Sequence, residues 1–177
     1  AHVAKAELWE LSEYKNTKKA KLYGATVRFI GDDDSIADSA TQHFGFRWFD
    51  IGEKDGDKRF YLNGKRVFLK TAMQRGFWPK NGIFPTKEMA ERDMKVLSDL
   101  GMNTIYMHRA IGQPLVFDYA DTHGFFTYEA PGGYRVTPNP EDDIAEPDEQ
   151  ALQWRREKLR RMVIRDRSLP SFILYYL

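Results

Sequence analysis

Up to Lys70 apolar and polar side chains alternate with a period of about two, the mark of half-buried strands. Ala25-Thr26-Val27-Arg28-Phe29-Ile30 alternates and runs into Gly31-Asp32-Asp33-Asp34, which reads as a turn; Phe44-Gly45-Phe46-Arg47-Trp48-Phe49 is aromatic and extended. Asp55-Gly56-Asp57 and Asn63-Gly64-Lys65 predict hairpin turns. The Asn-Gly pair supplies positive φ at low cost between strands at 59–62 and 66–70. This is β-sandwich material. Beyond it the period changes. A first buried strand is predicted at 67–73. Thr86 is placed to cap a helix that carries Met89, Ala90, Met94, Leu97 and Leu100 on one face and stops at Gly101. Asn103-Thr104-Ile105-Tyr106-Met107 is a second strand. Leu115, Val116, Tyr119 and Ala120 mark a helix closed by Gly124, and Phe125-Phe126-Thr127-Tyr128 is a third strand. Pro147 opens a long helix with Asp148 and Glu149 in its first turn, Pro170 ends it, and 172–177 is a fourth strand, apolar throughout as a strand buried on both faces should be.

Four strands alternating with three helices are half of a (β/α)8 barrel, so the sequence predicts a multidomain β plus α/β chain. Residues 1–52 are expected to be the C-terminal part of an immunoglobulin-like β-sandwich, and 53–177 the N-terminal half of a TIM barrel. An open half-barrel has two edges and an uncovered interior, so the remaining strands are expected beyond Leu177. A smaller doubly wound sheet is the alternative fold, but no Gly-rich phosphate loop follows any strand.

The chain has 177 residues and no cysteine, which excludes disulfides and thiol chemistry and is compatible with either redox compartment. Its formal net charge is +1, so no global field draws it to nucleic acid or to a membrane surface, and a neutral substrate suits that balance. No stretch approaches the roughly 18 consecutive apolar residues of a membrane span. The basic run from Arg155 through Arg167 is interleaved with Leu159, Met162 and Val163 at helical spacing, and it reads as a solvated helix face rather than a nucleic-acid surface.

In a (β/α)8 barrel the active site forms at the C-terminal ends of the strands. Gln74 and Arg75 follow the first strand, His108 and Arg109 the second and Glu129 the third, with Phe77, Trp78 and Tyr134 beside them. Taken one at a time each has a plain structural reading: loop arginines, a satisfied histidine, a glutamate paired with one of those arginines, a packed tryptophan. Converging at successive strand ends they suit a sugar, whose hydroxyls need donors and acceptors and whose C–H face stacks on a ring.

Phe44-Gly45-Phe46-Arg47 followed by Phe60-Tyr61-Leu62-Asn63-Gly64-Lys65-Arg66-Val67-Phe68-Leu69-Lys70 resembles the junction between sandwich and barrel in glycoside hydrolase family 2. Leu100-Gly101-Met102-Asn103-Thr104-Ile105 resembles the family's second barrel strand. Tyr119-Ala120-Asp121-Thr122-His123-Gly124-Phe125 resembles the helix end that follows. Arg161-Met162-Val163-Ile164-Arg165-Asp166-Arg167 with Pro170-Ser171 is similar to the approach to the fourth strand. The order and spacing agree from about Leu22 onward.

The resemblance implies a retaining exo-glycosidase working through an acid/base glutamate and a nucleophilic carboxylate. The family's Asn-Glu pair lies just past the fourth strand, so both catalytic residues are expected after Leu177, in the remainder of a parent polypeptide. This segment alone should then be inactive. Gln74, Arg75, Trp78, His108, Arg109 and Glu129 are the expected substrate-binding residues. Four departures bear on the sugar and the metal. Tyr106 stands where the family usually has arginine. His108-Arg109 replaces a histidine near 109, and Ser168-Leu169 replaces Asn-His. Ala130-Pro131-Gly132-Gly133-Tyr134 replaces the metal-binding segment of some β-galactosidases, so no metal and no cofactor are expected. A β-galactoside is the leading substrate among galactoside, glucuronide and mannoside. The alternative is a non-catalytic carbohydrate-binding or scaffolding protein with a degenerate barrel. A homo-oligomer stays open, as does the compartment, with a secreted or periplasmic protein favoured over a cytoplasmic one.

Overall fold

The computed structural model describes residues 3–12, 19–54, 56–131 and 149–176. Tyr23–Ile30 (β1) and Ile36–Phe44 (β2) form an antiparallel hairpin. Its turn is held by Gly31 N–H donating to Ser35 O and by the Asp33 carboxylate, which accepts from the Ser35 backbone and hydroxyl. The expected alternation is present, yet both faces of the hairpin are exposed, with Val27 and Phe29 about 60% accessible. Phe49–Lys54 (β3), Asp57–Leu62 (β4) and Lys65–Val67 (β5) form an antiparallel meander. Asn63 and Gly64 turn β4 into β5 with φ of 52° and 77°, as the Asn-Gly pair predicts. Asp55, in the other predicted turn, lies outside the described residues.

The expected single strand at 67–73 is two elements. β5 ends at Val67, and Thr71–Gln74 (β6) starts a different, parallel sheet. The Asn103 side chain causes the break: its amide donates to Phe68 O at 2.8 Å and its Oδ1 accepts from Lys70 N–H at 2.8 Å. It thereby satisfies the backbone where the chain passes from one sheet to the other. Thr104–Met107 (β7), Phe126–Glu129 (β8) and Phe172–Tyr175 (β9) complete a four-stranded parallel sheet in the order β6-β7-β8-β9.

Helices α1 (Lys87–Asp99), α2 (Pro114–His123) and α3 (Glu149–Asp166) connect these strands. Thr86 caps α1 by accepting from Met89 N–H, and Ala90 and Met94 are its buried face. Leu100 does not join that face. It sits beyond the last helical residue, so its side chain leaves the helical period and is 67% exposed. Gly124 ends α2 in the left-handed conformation, φ 66°. On α3 Met162 is buried, but Val163, expected beside it, is 42% exposed because it falls one position past the packed stripe. The expected helix start at Pro147-Asp148 lies outside the described residues, as does Leu177.

One core lies between the sheet and its helices: Trp78, Met94, Ile105, Met107, Val116 and Phe117. A second gathers Trp9, Leu62 and Phe126, with Phe49, Val67 and Ile173 packed against it. It closes the N-terminal end of the parallel strands with the meander and a segment from the start of the chain. β9 is half-buried at every position, not buried on both faces, because nothing described covers its other side.

Candidate functional site

The parallel register brings Gln74, Met107, Glu129 and Tyr175 level at the C-terminal strand ends. Side chains alternate across a strand, so this set shares the face covered by helices, and the row one residue earlier, with Met73, Tyr106 and Tyr128, shares the opposite, open face.

On the open face Tyr106 and Tyr128 stack with centroids 4.5 Å apart and planes 12° from parallel, and Tyr176 meets Tyr106 edge-on at 5.9 Å. The Tyr106 hydroxyl lies 3.0 Å from His108 Nδ1. The His108 backbone N–H donates to Gln74 O at 2.7 Å, which joins the ends of β6 and β7. Desolvation, then Arg109 and Arg75, hold the His108 pKa below its usual value, so the imidazole is neutral near pH 7. Arg109, in the turn after β7, occupies the left-handed region at φ 58°, which is uncommon for a residue with a Cβ. Arg75, His108 and Arg109 thus come together at the rim of a tyrosine-lined surface, with Phe77, 61% exposed, on the segment that follows Arg75.

The other three expected site residues point to the covered face. Trp78 is 3% exposed, belongs to the main core and donates its indole N–H to Asp93 Oδ2 at 3.0 Å. Gln74 shares with Trp78, Asp93 and Met94 a cavity of about 270 Å³ beneath α1, and its Oε1 is buried without a partner among the described residues. Glu129, expected just past its strand, is the strand's last residue and is fully buried. Arg165 donates to both its oxygens at 3.0 and 3.3 Å, and Gly112 N–H donates to Oε2. The same guanidinium holds Asp166, whose Oδ2 also accepts from the Tyr175 hydroxyl at 3.1 Å. Burial pushes the Glu129 pKa up, against the lowering by Gly112 N–H and Arg165. Tyr175 is pushed up too, first by burial and then by Asp166. The network ties β8, α3, β9 and the loop before α2 together. Gly112 is required there, since a Cβ would lie 1.9 Å from Phe117 Cζ.

The open-face tyrosines and this network are functional candidates that the strand-end rule passes over. Arg165 and Asp166 sit inside a basic run whose bulk is solvated, as the Arg160 and Arg161 pairs with Glu157 show. The signal the sequence offered was the Arg161–Arg167 segment, with its Arg165-Asp166 pair a few residues before the fourth strand. Among the described residues no three His, Cys, Asp or Glu side chains converge to hold a metal ion. No described helix is long and apolar enough to cross a membrane. Gly132, Gly133 and Tyr134, expected beside the site, lie outside the described residues.

No protein-family model matches the chain. The β-galactosidase BgaC of Bifidobacterium adolescentis is 30% identical over 166 residues, which cover 88% of this chain and 15% of that protein. A β-glucuronidase of Bacteroides fragilis is 28% identical over 118 residues, 64% of this chain and 16% of that protein. Among solved structures, Bacteroides uniformis β-glucuronidase 3 superposes with a TM-score of 0.70 at 28% identity, covering 88% of this chain and 18% of that one. The exo-chitosanase CsxA of Amycolatopsis orientalis reaches a TM-score of 0.79 at 19% identity over 98% of this chain and 20% of its own, a likeness of fold alone. The chain spans about 15% of the length of the curated relatives it matches. It is a glycoside hydrolase family 2-like segment, similar over most of its length to β-galactosidases and β-glucuronidases.

Proposed function

We propose that this segment belongs to a retaining exo-β-glycosidase and forms one wall of its sugar site. In this reading residues 1–52 end an immunoglobulin-like sandwich and 53–177 begin a (β/α)8 barrel, with β3 running across the boundary between them. The open face of β6–β9 is the barrel interior, and the C-terminal strand ends are the floor of the active site. The observation that carries the reading is the meeting of Arg75, His108 and Arg109 at adjacent strand ends, above stacked Tyr106 and Tyr128. A neutral imidazole and two guanidiniums supply hydrogen bonds to sugar oxygens, and tyrosine faces and edges supply apolar surface for C–H groups. Gln74, Trp78 and Glu129 act from beneath: they fix the strand ends that carry the rim.

The carboxylates that perform the chemistry lie beyond Leu177. Retention requires an acid that protonates the leaving oxygen and a nucleophile about 5 to 5.5 Å away that forms the glycosyl intermediate. β9 delivers the chain to the rim where the first of these is needed. The names of the relatives divide between galactoside and glucuronide, and the substrate is a terminal β-glycoside.

The test is to read and express the frame past Leu177. An Asn-Glu pair within a few residues, with turnover of nitrophenyl β-glycosides by the extended polypeptide and none by residues 1–177, is the expected result. Turnover by residues 1–177 alone overturns the placement of the catalytic pair. A frame in which the pair is replaced and sugar still binds favours the carbohydrate-binding alternative.

A further inference from the structure

β9 breaks the alternation of a regular strand. Phe172 pairs with Thr127, yet Leu174 pairs with Tyr128 and Tyr175 with Glu129, so Ile173 is an extra residue with no partner on β8. Phe172 faces the covered side, where its ring meets Phe117. A strand alternating regularly from Phe172 would turn Tyr175 to the open face and Tyr176 to the covered one. The structure shows the reverse. The Tyr175 hydroxyl donates to Asp166 Oδ2 at 3.1 Å on the covered side, and Tyr176 meets Tyr106 edge-on over the open face.

A closed ring of polar groups holds this bulged register. Tyr176 N–H donates to Glu129 O at 2.9 Å, the Glu129 carboxylate accepts from Arg165, and Arg165 holds Asp166 through Nε and Nη2. Asp166 accepts from Tyr175, which brings the ring back to β9. Glu129 and Asp166 are both fully buried, so water competes little for these bonds. A phenylalanine at 175 would fill the same space beside Phe172, whose ring centroid lies 4.6 Å away, and Asp166 would keep Arg165. Packing therefore does not need the hydroxyl. The hydroxyl adds register, which apolar contact alone leaves free to slip by one residue.

Resting on the sugar-site reading above, we propose that Tyr175 is a positioning residue whose bond to Asp166 fixes the bulged register of β9, so that the strand delivers Tyr176, and after it the acid/base glutamate expected beyond Leu177, to the barrel interior at the rim. A slip that removed the bulge would reverse the face of every later side chain on the strand. Tyr175 acts from the covered side, through Asp166, Arg165 and Glu129, and touches no substrate.

Tyr175→Phe tests this with two readouts. In the polypeptide extended past Leu177, kcat for nitrophenyl β-glycosides should fall about tenfold or more while KM stays within about twofold, because misplaced chemistry with intact binding lowers kcat. In the 177-residue chain, the nuclear Overhauser contact between the Tyr106 and Tyr176 rings should be lost while the urea midpoint stays where it was. A kcat at the parent value, or a ring contact that persists, overturns the positioning role. A lowered urea midpoint with the ring contact intact also overturns it and leaves Tyr175 a packing residue. An extended polypeptide that turns over no glycoside in either form overturns the glycosidase reading instead, and the ring contact then decides the register by itself.

Discussion

On the helix-covered face of the parallel sheet Ile105, Met107 and Glu129 are sealed at 2% exposure or less, and every oxygen of the Glu129 carboxylate has a donor. On the open face Met73 and Tyr176 are each 63% exposed, and the tyrosines pack chiefly on one another. The same four strands build both surfaces. The covered face is completed by this segment's own helices, whereas the open face presents polar and aromatic groups that the described helices do not cover. Stability should therefore reside on one face and recognition on the other.

The sharpest way to break that contrast is Arg165→Met, which strands two buried carboxylates without their cation. It should cost about 3 to 5 kcal/mol in urea unfolding, and Glu129→Gln with Asp166→Asn added to it should recover part of the loss. A cost below about 1 kcal/mol would remove the covered face as the seat of stability. Next in size is Gly112→Ala. The new methyl collides with Phe117 and displaces the N–H that Glu129 accepts, for a loss of about 3 kcal/mol by the same measurement.

A third prediction uses pH. Burial raises the Asp121 pKa from 3.8 to about 6, although Ser171 N–H donates to it at 2.9 Å. The folded state therefore holds its proton more tightly than the unfolded chain does. The stability this contributes is complete below the unfolded pKa and is lost as pH rises through about 6. Between about pH 4 and pH 6.5 the loss should be about 2 kcal/mol, and Asp121→Asn should flatten that slope in urea midpoints measured across the range. Smallest of all, Met73→Thr and Tyr176→Ser on the open face should stay within about 0.5 kcal/mol of the parent chain. Losses there equal to those on the covered face would erase the distinction.

Much of the β plus α/β order was legible because local signals carry it: the Thr86 cap, the Gly124 stop, the Asn63-Gly64 turn and the apolar strands at 104–107 and 126–129. What escaped was set by partners far along the chain. No local pattern announces that Asn103 would hydrogen-bond Phe68 and Lys70 and split one predicted strand in two. Glu129 was picked out for its place near a strand end, but a shift of one residue in the strand turned it from the open face to the covered one, as a period of two requires. Arg75, His108 and Arg109 do converge, since loops that follow adjacent parallel strands are neighbours. Trp78 could not be told from a sugar platform by sequence, because a tryptophan serves either use and only the Asp93 hydrogen bond and its burial decide.

Trp9 has a consequence for the order of events during synthesis. Its side chain is fully enclosed, its indole N–H donates to Asp121 O across 112 residues of sequence, and a Cβ on Gly124 would fall 2.4 Å from Glu10 O. Ser12 N–H reaches Gly124 O and Ala20 N–H reaches Thr122 O along the same seam. Trp9 N–H meets Phe46 O and Asn63 donates to Trp9 O, but the seam of Trp9, Ser12 and Ala20 with the end of α2 closes only once Gly124 has left the ribosome. Until then the side of Trp9 that packs on Phe126 stays uncovered, a slow, non-local closure that exposes the nascent chain to association with its neighbours.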